Sequence, residues 1–360
     1  MTNISFPTDH ASIINRILAI NPSKYAATRN FEDGAVSYLS PYISRGVISL
    51  PQIREIVLEK HDEKDCWKFF QELSWREYFQ RVYQAKGEAI FEDLKTVQPT
   101  GKHNQLSVNL LEGTTGVDSI DEAINTLYEQ GYMHNHWRMY TASICCNMAF
   151  TKWLEGAKWM YYNLLDADLA SNHLSWQWVS GSFSKGPYVF NQENLNKYSR
   201  QEQRNTFLDK PYSEFPFSKI PEVLKQTTKL ELTTDLPKTE LPNINQAKPV
   251  LIYTPYNLDP NWRKEEDANR ILLLSPKHFK RFPMGENTIN FILELSKNIE
   301  GIQVYCGELE DLQPGDESNI FYKEHPAFKY PGTQDERDWL HPSVKGYYPS
   351  FSAYIKKVNK

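Results

Sequence analysis

LLDADLASNHLSWQW, residues 164–178, is the stretch on which the reading of this chain turns. Two acids two positions apart, Asp166 and Asp168, lead into Asn172, His173 and two indoles, Trp176 and Trp178, again two apart. One indole can be core. Two in so polar a context ask for something to stack on. Paired acids and an amide can accept the N–H and O–H groups of a flat aromatic cofactor, with an indole at electron-transfer distance. The bland reading, an ordinary capped helix with a core tryptophan, is adequate for this stretch taken alone.

Outward from that stretch the patterns are helical. HASIINRILAI (10–20) spaces its apolar residues for a helix, and SLPQIREIVLEK (49–60) opens with Ser49 as N-cap and Pro51 in the first turn. CWKFFQELSWREYFQRVYQAKG (66–87) reads as one long aromatic-striped helix stopped by Gly87. DSIDEAINTLYEQG (118–131) has Asp118 or Ser119 as cap and Gly131 as stop. These patterns predict an all-helical segment over residues 1–205. Residues 206–248 change character, with Pro211, Pro221, Pro237 and Pro242 among Lys, Thr and Glu, which suits an irregular connection. From 249 to 360, PVLIYTPYNL, RILLLSPKHF, GENTINFILELSKNI and IQVYCGEL read as strand, strand, helix and strand. That order predicts a small α/β unit with some parallel pairing. The expected fold class is mainly α with a C-terminal α/β unit.

The chain has 360 residues, and nine tryptophans, seven of them between Trp67 and Trp178, mark that region. No apolar run reaches membrane-spanning length, and the N-terminus lacks a basic and then apolar leader. The expectation is a cytoplasmic protein. The cysteines Cys66, Cys145, Cys146 and Cys306 show no C-x-x-C spacing, so neither a disulfide framework nor a metal site is expected. His134 and His136 are two apart, on different sides of a helix, which also argues against a metal. A net charge of −5 does not suggest a bulk nucleic-acid binder but leaves room for a local basic groove.

Three further motifs carry polar chemistry. DGAVSYLSPYISRGVIS (33–49) places Ser37 and Ser40 ahead of a proline-started helix, where hydroxyls and free N–H groups either cap the helix or hold phosphate oxygens. ELSWREY (72–78) sets Glu72 on one helix face with both Trp75 and Arg76. MHNHWRMYTAS (133–143) gathers Asn135, His136, Arg138 and Met139 at a helix start, where Arg138 can meet an anion or pair with Asp166.

Taken together and in this order, these motifs resemble the flavin-binding helical domain of the photolyase/cryptochrome family. The similarity spans roughly residues 15–200 and is strongest in WREY, GYMHNHWRMYTAS and LLDADLASNHLSWQW. The resemblance implies FAD as cofactor, with an antenna pigment left unspecified. It implies that Tyr25 and the Ser37–Leu39–Ser40 loop hold the diphosphate, although Val36 stands where the family carries a first loop threonine. It implies further that Arg76, Arg138, Asp166 and Asp168 surround the flavin, and that Asn172 faces its N5. Trp176 and Trp153 match the first two members of an electron relay; a third tryptophan is missing, and Trp159, Tyr161 or Tyr128 are the candidates to replace it.

The same resemblance assigns Glu72, Trp75, Asn135, His136, Met139 and Trp178 to a pocket for a flipped cyclobutane pyrimidine dimer in DNA. Base–aromatic stacking contributes about 1–3 kcal/mol per base, which suits two indoles to that task. The implied activity is light-driven repair, the implied partner is DNA containing pyrimidine dimers, and the alternative is a blue-light photoreceptor. No membrane or metal partner is implied. The family's usual amino-terminal α/β domain is not seen ahead of the helices, and the C-terminal α/β unit is either a permuted counterpart or an unrelated addition.

Overall fold

The computed structural model describes residues 4–215, 217–313 and 317–358. In chain order the helices are α1 (His10–Leu18), α2 (Pro22–Thr28), α3 (Ser40–Ser44), α4 (Leu50–Leu58), α5 (Glu63–Lys86) and α6 (Val108–Leu111). Then come α7 (Asp118–Gln130), α8 (Asn135–Ser143), α9 (Trp153–Asn163), α10 (Leu169–Ser180) and α11 (Gln192–Ser199). The C-terminal part adds α12 (Pro276–Arg281), α13 (Glu286–Ser296) and α14 (Phe351–Val358). Strands β1 (Leu106–Ser107) and β2 (Thr227–Thr228) form a short antiparallel pair. Among the described residues up to 205, the regular elements are helices apart from the two residues of β1.

Helix starts follow the local chemistry at some helices and not at others. Ser49 caps α4 through a capping box with Gln52, and Gly87 closes α5 at φ 52°. Neither Asp118 nor Ser119 caps α7; the capping position is Val117. Asp121, inside the first turn, instead accepts from the backbone of Thr115 at 2.8 Å and of Gly116 at 2.9 Å, fixing the preceding loop.

The remaining strands are β3 (Val250–Tyr253), β4 (Asn269–Leu274), β5 (Ile302–Cys306), β6 (Ile320–Lys323) and β7 (Thr333–Asp335). They form one parallel sheet in the order β5–β4–β3–β6–β7. β6 and β7 were not expected from the sequence: β7, Thr-Gln-Asp, carries no apolar alternation, and IFYK is too short to stand out. Val250, Ile252, Ile271, Leu273 and Tyr322 form the core on one sheet face.

The chain divides into two compact units that do not follow the three consecutive segments expected above. One comprises the residues up to Ser5, Ser23–Val36 and Glu88–Leu232; the other comprises Phe6–Pro22, Ser37–Gly87 and the chain from Thr233 onward. The parallel sheet thus shares a unit with α1, α3, α4 and α5, and the helical segment 1–205 contributes to both. No described helix is long and apolar enough to cross a membrane.

Candidate flavin and substrate sites

In the first unit, α8, α9 and α10 pack on one another. Arg138, on α8, places Nη1 at 2.9 Å from Asp166 Oδ2, and its Nε donates to the carbonyl of Met133 at 2.7 Å. The carboxylate is only 4% exposed and the guanidinium 22%, so the pair is a buried charge matched to a partner that still reaches the surface. Of the two readings of Arg138, the ion pair with Asp166 is the one observed.

Asp168 is the N-cap of α10, and its Oδ1 accepts from the backbone and hydroxyl of Ser171 at 2.6 and 2.7 Å. One of its oxygens is therefore committed to the helix. Asn172, one turn on, donates Nδ2 to the carbonyl of Ala157 at 2.9 Å, which orients the amide.

The two indoles of α10 separate completely. Trp176 is 2% exposed, and Gly156 of α9 makes room for it: a Cβ there would sit 2.3 Å from the Trp176 ring. Trp178 is 37% exposed, and among the described residues its one ring contact is a tilted one to Tyr188 at 5.7 Å. Asn135 is exposed and Met139 half-buried on α8.

Trp153 is buried, and its indole N–H donates to Asp93 at 2.8 Å while its backbone N–H donates to Gln98 at 2.8 Å. His173 lies edge-on to Trp153 at 6.3 Å and to Phe91 at 5.0 Å. Burial holds its pKa down at about 4, so the ring is neutral near pH 7. Asp93, Gln98 and His173 escaped the sequence reading because they lie in an irregular loop or read as one polar residue among several. Among the relay candidates, Trp159 donates its N–H to the hydroxyl of Tyr128 at 3.0 Å.

His136 is engaged within the first unit. Its Nδ1 stands 2.7 Å from the carbonyl of Asn30, and its ring stacks on Tyr140 at 5.1 Å and 9°. Burial lowers its pKa. His134, half-buried, is held down at about 4 and caps α8 through its own side chain.

In the second unit, the Ser37–Ser40 loop precedes α3. Tyr38 adopts φ 52°, a left-handed conformation uncommon for a bulky residue. The α3 capping position is Leu39, which makes no side-chain cap hydrogen bond. The hydroxyls of Ser37 and Ser40 have no hydrogen-bond partner among the described residues, whereas the Leu39 side chain is core. Leu39 can thus serve a ligand only through its backbone. Arg76, on α5, ties α3 in place by donating Nη2 to the Ser44 hydroxyl at 2.7 Å. Uncommitted hydroxyls at an uncapped helix start are a donor set that suits phosphate oxygens. Tyr25, half-buried on α2, belongs to the first unit.

Glu72 pairs with Lys68 at 2.8 Å. Trp75 does not present both faces: Phe351 of α14 stacks on it at 3.8 Å and 12°. Neighbouring Glu77, fully buried, accepts from the backbone of Leu340, from the backbone of His341 at 3.0 Å and from the Tyr354 hydroxyl at 2.7 Å. The final helix is thereby fastened along α5. Nothing in the local pattern of residues 66–87 announces that partner.

The model for the FAD-binding domain of DNA photolyase matches residues 69–269, more than half of the chain. The chain belongs to the photolyase/cryptochrome family. That match begins later and ends later than the span read from the motifs. FAD is the cofactor of this domain. Among curated relatives, the deoxyribodipyrimidine photo-lyase of Streptomyces griseus is 30% identical over 42% of this chain and 35% of its own length. That of Agrobacterium fabrum is 31% identical over 43% and 35%. A crystal structure of a class III photolyase from Agrobacterium tumefaciens is 26% identical over 52% of this chain and 41% of that one. Its TM-score of 0.46 makes the superposition too partial to bear on function. The chain spans about a third of the length of the curated relatives it matches.

Proposed function

We propose that this chain is a light-driven DNA-repair flavoprotein acting on cyclobutane pyrimidine dimers. The observation that carries the reading is Trp178: a large indole left 37% exposed on an otherwise packed helix, in the same unit as the exposed Asn135 and half-buried Met139. An exposed indole offers a π-face to an unstacked base, and an amide can read its polar edge. Bound and reduced, FAD would supply the light-absorbing electron donor.

The chain's own residues would divide the remaining work. Tyr25, Ser37, Ser40 and the Leu39 backbone would hold the phosphates. Arg138 and Asp166 would set the charge at the ring's polar edge, with Arg76, Asp168 and Asn172 as further contacts. Glu72 and Trp178 would position the lesion. Trp176 and Trp153 are assigned to the path by which electrons are supplied. Lys152, Lys185 and Lys197 are exposed in the first unit and suit DNA phosphates, while Arg200 is paired with Asp33 at 2.9 Å.

The test is dimer repair per absorbed photon by chemically prereduced protein under blue light. Repair by the parent chain is expected, reduced at least about tenfold in Trp178→Ala through lost stacking. Trp176→Phe should leave repair from prereduced protein near the parent value and slow photoreduction from the oxidised state. Absence of repair by the parent chain would favour a photoreceptor. That second reading is supported by the Phe351 contact, which takes one face of Trp75.

A further inference from the structure

The parallel sheet carries a cavity that the flavin reading does not use. In the order β5–β4–β3–β6–β7, the chain moves outward from β3 to β5 and then returns to the other side of β3 for β6 and β7. That reversal is a topological switch point, and in open parallel sheets ligands bind in the crevice outside the carboxyl ends of the two central strands. A cavity of about 720 Å³ lies there. Asp259 and Trp262 line it from the loop after β3, Lys323 from the end of β6, and Asp335 and Asp338 from the end of β7 and beyond.

The wall's charges set the ligand chemistry. Its three cationic side chains are already paired with acids, while the buried Trp339 indole N–H has no partner among the described residues. Arg263 places Nε and Nη2 on Asp335 at 2.6 and 2.9 Å and Nη1 on Glu266 at 2.8 Å. Lys323 lies between Asp259 at 3.2 Å and Asp338 at 2.8 Å, and Arg337 serves Glu324 and Gln80. Its acceptors are in surplus. Five lining carboxylates against three lining cations leave two negative charges, and each carboxylate oxygen accepts more than one hydrogen bond. Glu55, from α4, is exposed and carries no ion pair among the described residues. No group of three or more His, Cys, Asp or Glu side chains among the described residues is arranged to hold a metal ion. The loop after β3, TPYNLDPNW, has no glycine, so it lacks the close-approach turn that phosphate binding at a switch point uses.

We infer that this cavity binds a small organic cation with at least two ammonium groups, of the diamine or polyamine class. The volume is within the range of small-molecule sites. Calorimetric titration of the full chain with spermidine at low ionic strength tests it, with AMP and magnesium chloride as comparators. One-site saturable binding is expected, weakening as sodium chloride rises. Glu55→Gln and Asp338→Asn should each weaken it about fivefold. Both side chains are solvent-facing, and unchanged circular dichroism would verify that the variants fold. No saturable spermidine binding, or an affinity unchanged in both variants, would overturn the assignment. So would AMP binding as tightly, or displacement of spermidine by magnesium beyond the effect of matched ionic strength.

Discussion

Helices α10 and α5 each carry a tryptophan that the motif reading set aside for a flipped base, and their fates differ. Trp178 of α10 is open to solvent over more than a third of its surface, with one tilted ring contact. Trp75 of α5 is stacked under Phe351, which reaches it from the far end of the chain. The two indoles are alike in local context, each within a helix and near polar residues. What separates them is whether a remote segment supplies a partner. An aromatic on an amphipathic helix is thus a stacking surface only by default, until the rest of the fold has been placed.

The strongest way to break the contrast is Glu77→Ala. Its buried carboxylate holds Leu340, His341 and Tyr354, and its loss strands three donors. We expect destabilisation of about 3–5 kcal/mol, seen as a lower urea midpoint, together with rapid proteolysis of the C-terminal segment. A midpoint within error of the parent would mean that the final helix is not fastened through this residue.

Phe351→Ala sharpens the contrast directly. Losing a stacked, buried ring should cost about 3 kcal/mol, and acrylamide should then quench an additional tryptophan. Trp178→Ala, at an exposed position, should cost about 1 kcal/mol or less and remove an already quenchable emitter. Equal stability losses would erase the distinction between the two sites.

The smallest effect concerns pH in the first unit. His173 and His134 have folded pKa values of about 4 against an ordinary 6.5, so the unfolded chain takes up their protons first. Their contribution is complete above pH 6.5 and is lost as pH falls toward 4, at up to about 1.4 kcal/mol per pH unit for each group. Glu32 opposes them: desolvation raises its pKa to about 6, so the folded state binds its proton more readily as pH falls. Between pH 7 and 5.5, His173→Gln should flatten the decline in Tm and Glu32→Gln should steepen it. Parallel curves for parent and His173→Gln would show that this ring is not the source.

Much of the helical segment was readable because its signals are local. The 3.6-residue periodicity, Ser49 with Gln52, Gly87 and the ordered motifs around Arg138, Asp166 and Asn172 all act within a few residues. The Arg138–Asp166 pair could be named in advance because opposite charges in two neighbouring motifs seek each other when buried. The parallel sheet was half readable: β3, β4 and β5 are apolar runs, while β6 and β7 are too short or too polar to announce themselves.

By itself the sequence determined the helical and strand-bearing segments and the family with its FAD-binding domain. The tertiary structure alone decided the burial of Trp176 over Gly156 and the exposure of Trp178. It also decided the turning of His136 onto the Asn30 carbonyl, the covering of Trp75 and the gathering of Glu55, Asp259, Lys323 and Asp335 around one cavity. The reason is physical. Periodicity and capping are set by neighbours along the chain, whereas burial, stacking and charge balance depend on groups that only the folded chain brings within a few ångströms.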